Sequence, residues 1–262
     1  MANPLSPVDT AKSVAAKRAC DFVASGMKVG LGTGSTAAWL VKWLGARVRD
    51  EGLDILCVPT STRTADLART EGIGLVTLDE AVRLDVTIDG ADEFDANLNL
   101  VKGGGGALLH EKIVAAASER MVVIADATKR VESLGAFPLP VEVIPFGWQT
   151  TQGLIEDMLP AQGVMGDTVS RRIQGGEPFR SDEGNFILDL HLLRIDDPER
   201  LAFALNQIPG VVENGLFIDM ADIAVIGHGD GRVEVLDLAG GTLREELIGA
   251  GESPNAFSDL AD

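Results

Sequence analysis

Three short segments of the chain combine residue types that could do chemistry together. Gly32-Thr33-Gly34-Ser35-Thr36 follows an apolar run and precedes a helical pattern. Glycines let the backbone approach a ligand closely, and a helix start offers free N–H donors and a positive dipole end. With three hydroxyls added, the segment suits an anion such as a phosphate. No Lys stands where a Walker A motif requires one. Counting from Gly30, the third glycine position of a Gly-x-Gly-x-x-Gly fingerprint holds Ser35. The second segment, Asp89-Gly90-Ala91-Asp92-Glu93 with Asp95 just beyond, concentrates carboxylates that repel one another and whose pKa values rise on burial. Such a loop needs a cation, a metal or a hydroxylated substrate. The third, Lys102-Gly103-Gly104-Gly105-Gly106, supplies a positive charge and a glycine run ahead of a helix. That run is entropically costly and makes sense where the backbone must come close to something. Plainer readings stand beside these: a tight turn, a solvated acidic turn and a flexible linker. With Asn97 nearby, the acidic loop could also hold Ca²⁺ or Mg²⁺ through oxygen ligands, although its spacing is not that of an EF-hand.

Glu111 follows the glycine run inside the expected helix. Its neighbours three and four positions away are Ala107, Leu108, Val114 and Ala115, all apolar, so no helical cation pairs with it on that face. A carboxyl in such company has its neutral form favoured, which suits a general base that takes a proton and returns it. A half-exposed Glu at the rim of an amphipathic helix fits the same pattern.

Strands must end just before these segments to bring them together. Periodicity and breakers predict a helix over 10–25, capped by Asp9 or Thr10 and stopped at Gly26, and a strand over 27–31. A helix from Ala37, a strand over 54–58 and a helix over 63–69 follow, then apolar runs at 75–78 and 84–89. A strand over 98–101, a helix over 107–119 and a strand over 121–125 complete the first part. Strands alternating with helices predict an α/β fold, an open doubly wound, Rossmann-like parallel sheet whose ligands bind beyond the carboxyl ends of the strands. After residue 130 the pattern changes, punctuated by Pro138, Pro140 and Pro145. A helix over 149–159, strands near 167–173 and 185–191, and a helix over 197–207 predict a smaller α+β, ferredoxin-like domain. Strands over 211–217 and 223–227 return to the first domain. The expected division is a main domain over 1–134, rejoined by about 212–238, a small domain over 135–211, and an acidic, Gly-rich tail over 239–262.

A net charge of −18 argues against nucleic acid as a partner, while leaving room for a small anion in a locally positive pocket. No apolar stretch is long enough to span a membrane, and residues 1–10 carry no secretory pattern. Cys20 and Cys57 form no Cys-x-x-Cys pair, which suits buried thiols in a reducing, cytoplasmic setting. The three histidines have no zinc-binding spacing.

The ordered set of motifs resembles ribose-5-phosphate isomerase type A. The likeness rests on Gly30 through Ala37, Asp89 through Glu93, and Lys102 through Gly105 leading to Glu111-Lys112-Ile113. It continues in Ile124 through Lys129, Phe137 through Pro145 and Ile208 through Val212, from about Lys12 to about residue 237. The resemblance implies an aldose–ketose isomerase that interconverts D-ribose 5-phosphate and D-ribulose 5-phosphate through an enediolate, in the non-oxidative pentose phosphate pathway. It further implies no metal, no organic cofactor, and a homo-oligomer, as a rule a dimer. By position, Thr33, Gly34, Ser35 and Thr36 would hold the phosphate with Lys129 and Lys12. Asp89, Gly90, Ala91, Asp92, Lys102, Gly103, Gly104 and Gly105 would hold the sugar end. Glu111 falls where the family has its proton acceptor. Lys102 would steady the enediolate oxygens, and Asp89 and Asp92 would orient hydroxyls and relay protons, one of them assisting ring opening. A sugar-phosphate sensor on the same type of fold would have no use for Glu111. A related CoA-transferase or amino-sugar phosphate deaminase is the enzymatic alternative.

Overall fold

The computed structural model describes residues 5–247. Helix α1 (Pro7–Ala19) starts earlier than its periodicity predicts, because Ser6 caps it by accepting from the Asp9 N–H and Pro7 sits at its first position. It also ends earlier, passing into a 3₁₀ turn at Cys20–Phe22. Strand β1 (Lys28–Leu31) leads to α2 (Ser35–Glu51), which Gly52 closes in the left-handed conformation. Next come β2 (Leu56–Pro59), α3 (Thr62–Thr70), β3 (Gly74–Leu75) and α4 (Leu78–Ala81), the last begun by a Thr77–Glu80 capping box. Then follow β4 (Val86–Gly90), β5 (Glu93–Phe94), β6 (Leu100–Val101), α5 (Leu108–Ala116) and β7 (Met121–Asp126).

The smaller unit contains β8 (Leu139–Val143), α6 (Trp148–Met158), β9 (Thr168–Arg171) and a hairpin of β10 (Ile173–Gln174) with β11 (Glu177–Pro178). It continues through β12 (Phe186–His191), α7 (Pro198–Asn206) and β13 (Val211–Asn214). Its four-stranded sheet runs β13-β8-β12-β9, antiparallel throughout. With one helix after the first strand and one after the third, this is the ferredoxin-like βαββαβ arrangement. Its helices bury Ile155, Leu201 and Leu205 against Val141, Leu188 and Leu190 of the sheet. The predicted strand over 211–217 is split: β13 belongs to this sheet, and β14 (Leu216–Phe217) turns away to pair with β6.

The chain then completes the main sheet with β15 (Ile223–Gly227), β16 (Arg232–Asp237) and β17 (Thr242–Leu247). The order of that sheet is β17-β16-β15-β7-β4-β1-β2-β3, parallel from β15 to β3 and antiparallel at β16 and β17. Central strands β7 and β15 are buried along their whole lengths, as apolar runs in a doubly covered parallel sheet should be. The tail expected from residue 239 therefore begins as a sheet strand, tied down by an ion pair from Arg18 to Glu246 at 2.9 Å. The rest of that expected tail, 248–262, lies outside the described residues. Cys20 and Cys57 are buried free thiols, pushed up to about 12 by burial. Among the described residues no helix is long and apolar enough to cross a membrane.

The order β3-β2-β1-β4-β7 reverses direction between β1 and β4. That point is where an open α/β sheet leaves a crevice beyond its strand ends. The first two candidate segments leave these two neighbouring strands.

Candidate active site

Strands β1 and β4 lie side by side with Leu31 opposite Ile88, so Gly32 meets Asp89 directly. The Gly32 N–H donates to the Ile88 carbonyl at 3.0 Å. A Cβ at Gly32 would stand 1.9 Å from Asp89 Oδ1, so only glycine lets the two loops cross here. Asp89 is fully buried, and its Oδ1 accepts from the Thr33 N–H at 3.1 Å and the Gly90 N–H at 2.7 Å.

Lys102 follows the short strand β6 and is only 2% exposed. Its ammonium donates to the Gly90 carbonyl at 2.6 Å, and stands 3.0 Å from Asp89 Oδ2 and 3.2 Å from Glu111 Oε1. Glu111 comes from the first turn of α5, on the face that also buries Leu108, Val114 and Ala115. The apolar company expected for it is present, and Lys102 supplies from outside the helix the cation that the helix lacks. The other Glu111 oxygen, Oε2, is buried and has no hydrogen-bond partner among the described residues.

The electrostatics follow from counting charges. Two buried carboxylates share one buried ammonium, so ionising both leaves a surplus negative charge away from water. Burial, and then the nearby Asp89 charge, push the Glu111 carboxyl up to about 8 despite the opposing pull of Lys102. Burial also raises Asp89 above the ordinary carboxylate range. Burial works against the Lys102 charge, but Asp89 and Glu111 together outweigh it and hold the ammonium above its ordinary value. A carboxyl raised to about 8 favours its protonated form at neutral pH, which makes Glu111 a group that could exchange a proton there.

A cavity of about 130 Å³ opens above this cluster. Thr33, Gly34, Ser35 and Thr36 line one end with Lys12 and Lys129; Gly90, Ala91, Asp92, Lys102, Gly103, Gly104, Gly105 and Glu111 line the other. Of the residues expected in the site only Asp89 is absent from this lining, because it lies beneath Lys102 as its counter-ion. At the cradle, Gly34 begins α2 with φ 112 and no side chain caps the helix, so the first-turn N–H groups stay available. Thr33 differs from expectation: its N–H is spent on Asp89, and its hydroxyl lies 2.8 Å from both Thr60 Oγ1 and Ser61 Oγ. Neither Lys12, from α1, nor Lys129, from the 3₁₀ turn after β7, has an ion-pair partner among the described residues. Asp92 Oδ2 accepts from the Gly104 N–H at 2.7 Å and so ties the acidic loop to the glycine loop. Among the described residues no group of three or more His, Cys, Asp and Glu side chains is placed to hold a metal ion.

Sequence reasoning missed several supporting groups. Thr60 and Thr64 are buried, and their hydroxyls donate to the Leu31 and Gly32 carbonyls, bracing the cradle from below. The Lys112 ammonium donates to Glu213 Oε1, Asn214 O and Leu216 O, fixing α5 against the strands that leave the small domain. The adjacent EK pair at 111–112 hinted at a division of labour, with one side chain turned to the site and one to the frame.

A buried ammonium between two buried carboxylates, below a small cavity that also meets an uncapped helix start at the switch point of an α/β sheet, fits a small-molecule enzyme. The profile of the family "Ribose 5-phosphate isomerase A (phosphoriboisomerase A)" matches residues 56–231. Ribose-5-phosphate isomerase A of Ruegeria pomeroyi is 65% identical over 262 residues, covering 100% of both chains. The protein of that name from Roseobacter denitrificans is 64% identical over the same span. Among solved structures, ribose 5-phosphate isomerase from Plasmodium falciparum superposes with a TM-score of 0.82 at 38% identity, covering 87% of this chain and 98% of that one. A D-ribose-5-phosphate isomerase in complex with phospho-erythronic acid gives 0.80 at 41%, covering 86% and 97%. The chain belongs to the ribose 5-phosphate isomerase A family, and is an aldose–ketose isomerase that interconverts ribose 5-phosphate and ribulose 5-phosphate.

Proposed function

We propose that Glu111 carries the proton between C2 and C1 of the open-chain sugar, through an enediolate. The observation that supports this most directly is the buried Glu111 carboxyl, held 3.2 Å from Lys102 and raised to about 8. A base poised near the working pH takes a proton from a weak carbon acid and still returns it. Glu111 removes the C2 proton of the aldose, and the oxygens on C1 and C2 gather negative charge. Lys102 and the N–H groups of Gly103 and Gly105, which unlike those of Gly104 and Gly106 are not spent on Asp92 or Gly103, stabilise that charge as fixed donors. Glu111 then delivers the proton to C1, while the hydroxyl proton passes from O2 to O1 with Asp92 at the cavity wall. Asp89, beneath Lys102, acts by holding the ammonium and the Thr33 and Gly90 backbone in place.

Gly34, Ser35 and Thr36 grip the phosphate with Lys12 and Lys129. That anchoring keeps the reacting end in register. A relative is solved in complex with phospho-erythronic acid, a ligand that joins a phosphate to a carboxylate, which suits a site with a phosphate grip and a second, charge-stabilising end. We place the reaction in the pentose phosphate pathway, in a cytoplasmic homodimer with no nucleic-acid or membrane partner. The family likeness, two buried free thiols and a net charge of −18 support that setting.

The test is direct conversion of ribose 5-phosphate to ribulose 5-phosphate, with and without EDTA. Conversion that EDTA leaves unchanged is expected. EDTA-sensitive conversion would return the acidic loop to a metal-binding role.

A further inference from the structure

Every residue lining the cavity comes from the main domain, yet side chains of the small domain reach the glycine loop, and Arg172 is the one that hydrogen-bonds to it. Arg172 follows β9, next to Arg171, and the two point to opposite sides as neighbours in an extended chain do. Arg171 stacks over Trp148, 4.2 Å from the ring centre. Arg172 turns the other way, and its Nη1 donates to the Gly103 carbonyl at 2.8 Å and the Gly104 carbonyl at 3.0 Å. Its Nε donates to Asp189 Oδ2 at 3.0 Å and its Nη2 to Asp189 Oδ1, a bidentate fork that fixes the guanidinium plane. Phe179 lies beneath the same guanidinium, 5.8 Å from it, and fills the space where a Cβ of Gly106 would stand.

We propose that Arg172 is a positioning residue for the isomerisation, setting the glycine loop that follows Lys102. A peptide unit has two ends, so gripping the Gly103 carbonyl orients the Gly104 N–H on its far side. That N–H meets Asp92 at 2.7 Å. The loop is thus held from both sides, by Arg172 of the small domain and Asp92 of the main one. Gly103 has φ +104, which glycine reaches without steric cost, so the loop's shape is set by the contacts that hold it and not by a backbone preference. Without the guanidinium the loop samples other conformations, and donors meant for the enediolate are no longer preorganised. The phosphate end, built on β1 and α2, does not depend on this contact. The inference rests on the assignment of the Lys102 loop to the enediolate end of the cavity.

The experiment compares wild type with Arg172→Ala and Arg172→Lys for kcat and KM on ribose 5-phosphate. It also measures inhibition by phospho-erythronic acid and by inorganic phosphate, with melting temperatures alongside. Arg172→Ala should lower kcat about 10- to 100-fold, the worth of one or two charge-assisted hydrogen bonds. Inhibition by phospho-erythronic acid should weaken by a similar factor, and inhibition by phosphate should stay within about twofold. Arg172→Lys keeps the charge but cannot hold Asp189 and both carbonyls at once, so it should fall between. If Arg172→Ala does not fold, the same split read from Arg172→Lys decides the matter. Unchanged kcat, or equal weakening of both inhibitors, would overturn the proposal. Loss of activity in Glu111→Gln reports on the base assignment alone, so the two ideas fail separately.

Discussion

The Lys102 ammonium stands 3.2 Å from Glu111 Oε1 and 3.0 Å from Asp89 Oδ2, with all three side chains almost sealed from solvent. One cation between two carboxylates cannot neutralise both. Burial raises both, and Glu111 has the fewer donors: Asp89 Oδ1 receives two backbone N–H groups, whereas Glu111 Oε2, like Asp89 Oδ2, receives none among the described residues. A base in the proposed isomerisation must hold a proton for part of each cycle, and this imbalance suits Glu111 to that proposed role.

The first prediction concerns turnover and its pH dependence. Glu111 must be ionised to accept the C2 proton, and burial pushes its carboxyl up to about 8. The kcat/KM for ribose 5-phosphate should therefore rise with pH on the acid side, with an apparent pKa near 8. Glu111→Gln should bind substrate but lose ~100- to 10,000-fold in turnover, the range for an acid–base group. A limb near the ordinary glutamate value of ~4.3, or a glutamine variant with near-normal turnover, contradicts the assignment.

A stability prediction follows from the same group, with the sign opposite to that of a salt-bridged carboxylate. The folded pKa of Glu111 lies above the unfolded one, so the folded state holds the proton more tightly. Its contribution to stability is fully present below the unfolded value of ~4.3 and is lost as pH rises through about 8. The melting temperature of Glu111→Gln, relative to wild type, should climb between pH 5 and 8 and then level off. A constant difference across that window would mean that Glu111 titrates normally.

How much of this was legible beforehand depends on the range of the contacts. The three loops could be read because each is a run of neighbouring residues with unusual chemistry, set where an apolar run stops. Their convergence followed from the α/β pattern, since adjacent parallel strands deliver their loops to one edge. The grip of Arg172 on Gly103 and Gly104 could not be read, because either Arg of the Arg171-Arg172 pair looks like any surface cation until packing aims it. Nor could the turning of the Thr33 hydroxyl toward Thr60 and Ser61, which depends on how α3 packs. Two-residue strands such as Glu93–Phe94 and Leu216–Phe217 are too short to show a period of two. Strand Thr242–Leu247 was hidden by charge, because a strand paired at the sheet edge tolerates Arg and Glu where a central one does not.

Gly32→Ala tests whether the crossing of the first two loops is as close as it stands. The added Cβ would lie 1.9 Å from Asp89 Oδ1 and 2.6 Å from Asp89 Cα, and the second contact is with backbone that cannot swing aside. The variant should lose roughly 1–3 kcal/mol of stability, as overpacked sites do, which is several degrees in Tm. Activity should fall more steeply than stability, since Asp89 displaced from Lys102 disturbs the ammonium as well. Wild-type melting and turnover in this variant would mean that the two strands are spaced more widely.

Lys129→Ala tests the opposite end of the cavity. Lys129 ends the 3₁₀ turn Ala127–Lys129, which Asp126 caps by accepting from the Thr128 N–H at 3.0 Å. The turn is thus held by groups other than the lysine, and removing the ammonium should leave it intact. Lys129 lines the cavity beside the cradle and has no carboxylate partner among the described residues, so its charge is free to meet a phosphate. The phosphate is bound alike in the ground state and the transition state. Losing the contact should therefore raise KM about 10-fold and leave kcat nearly unchanged. Inhibition by inorganic phosphate should weaken in step. Steady-state kinetics with phosphate as competitor read both quantities, and an unchanged KM would remove Lys129 from the phosphate site.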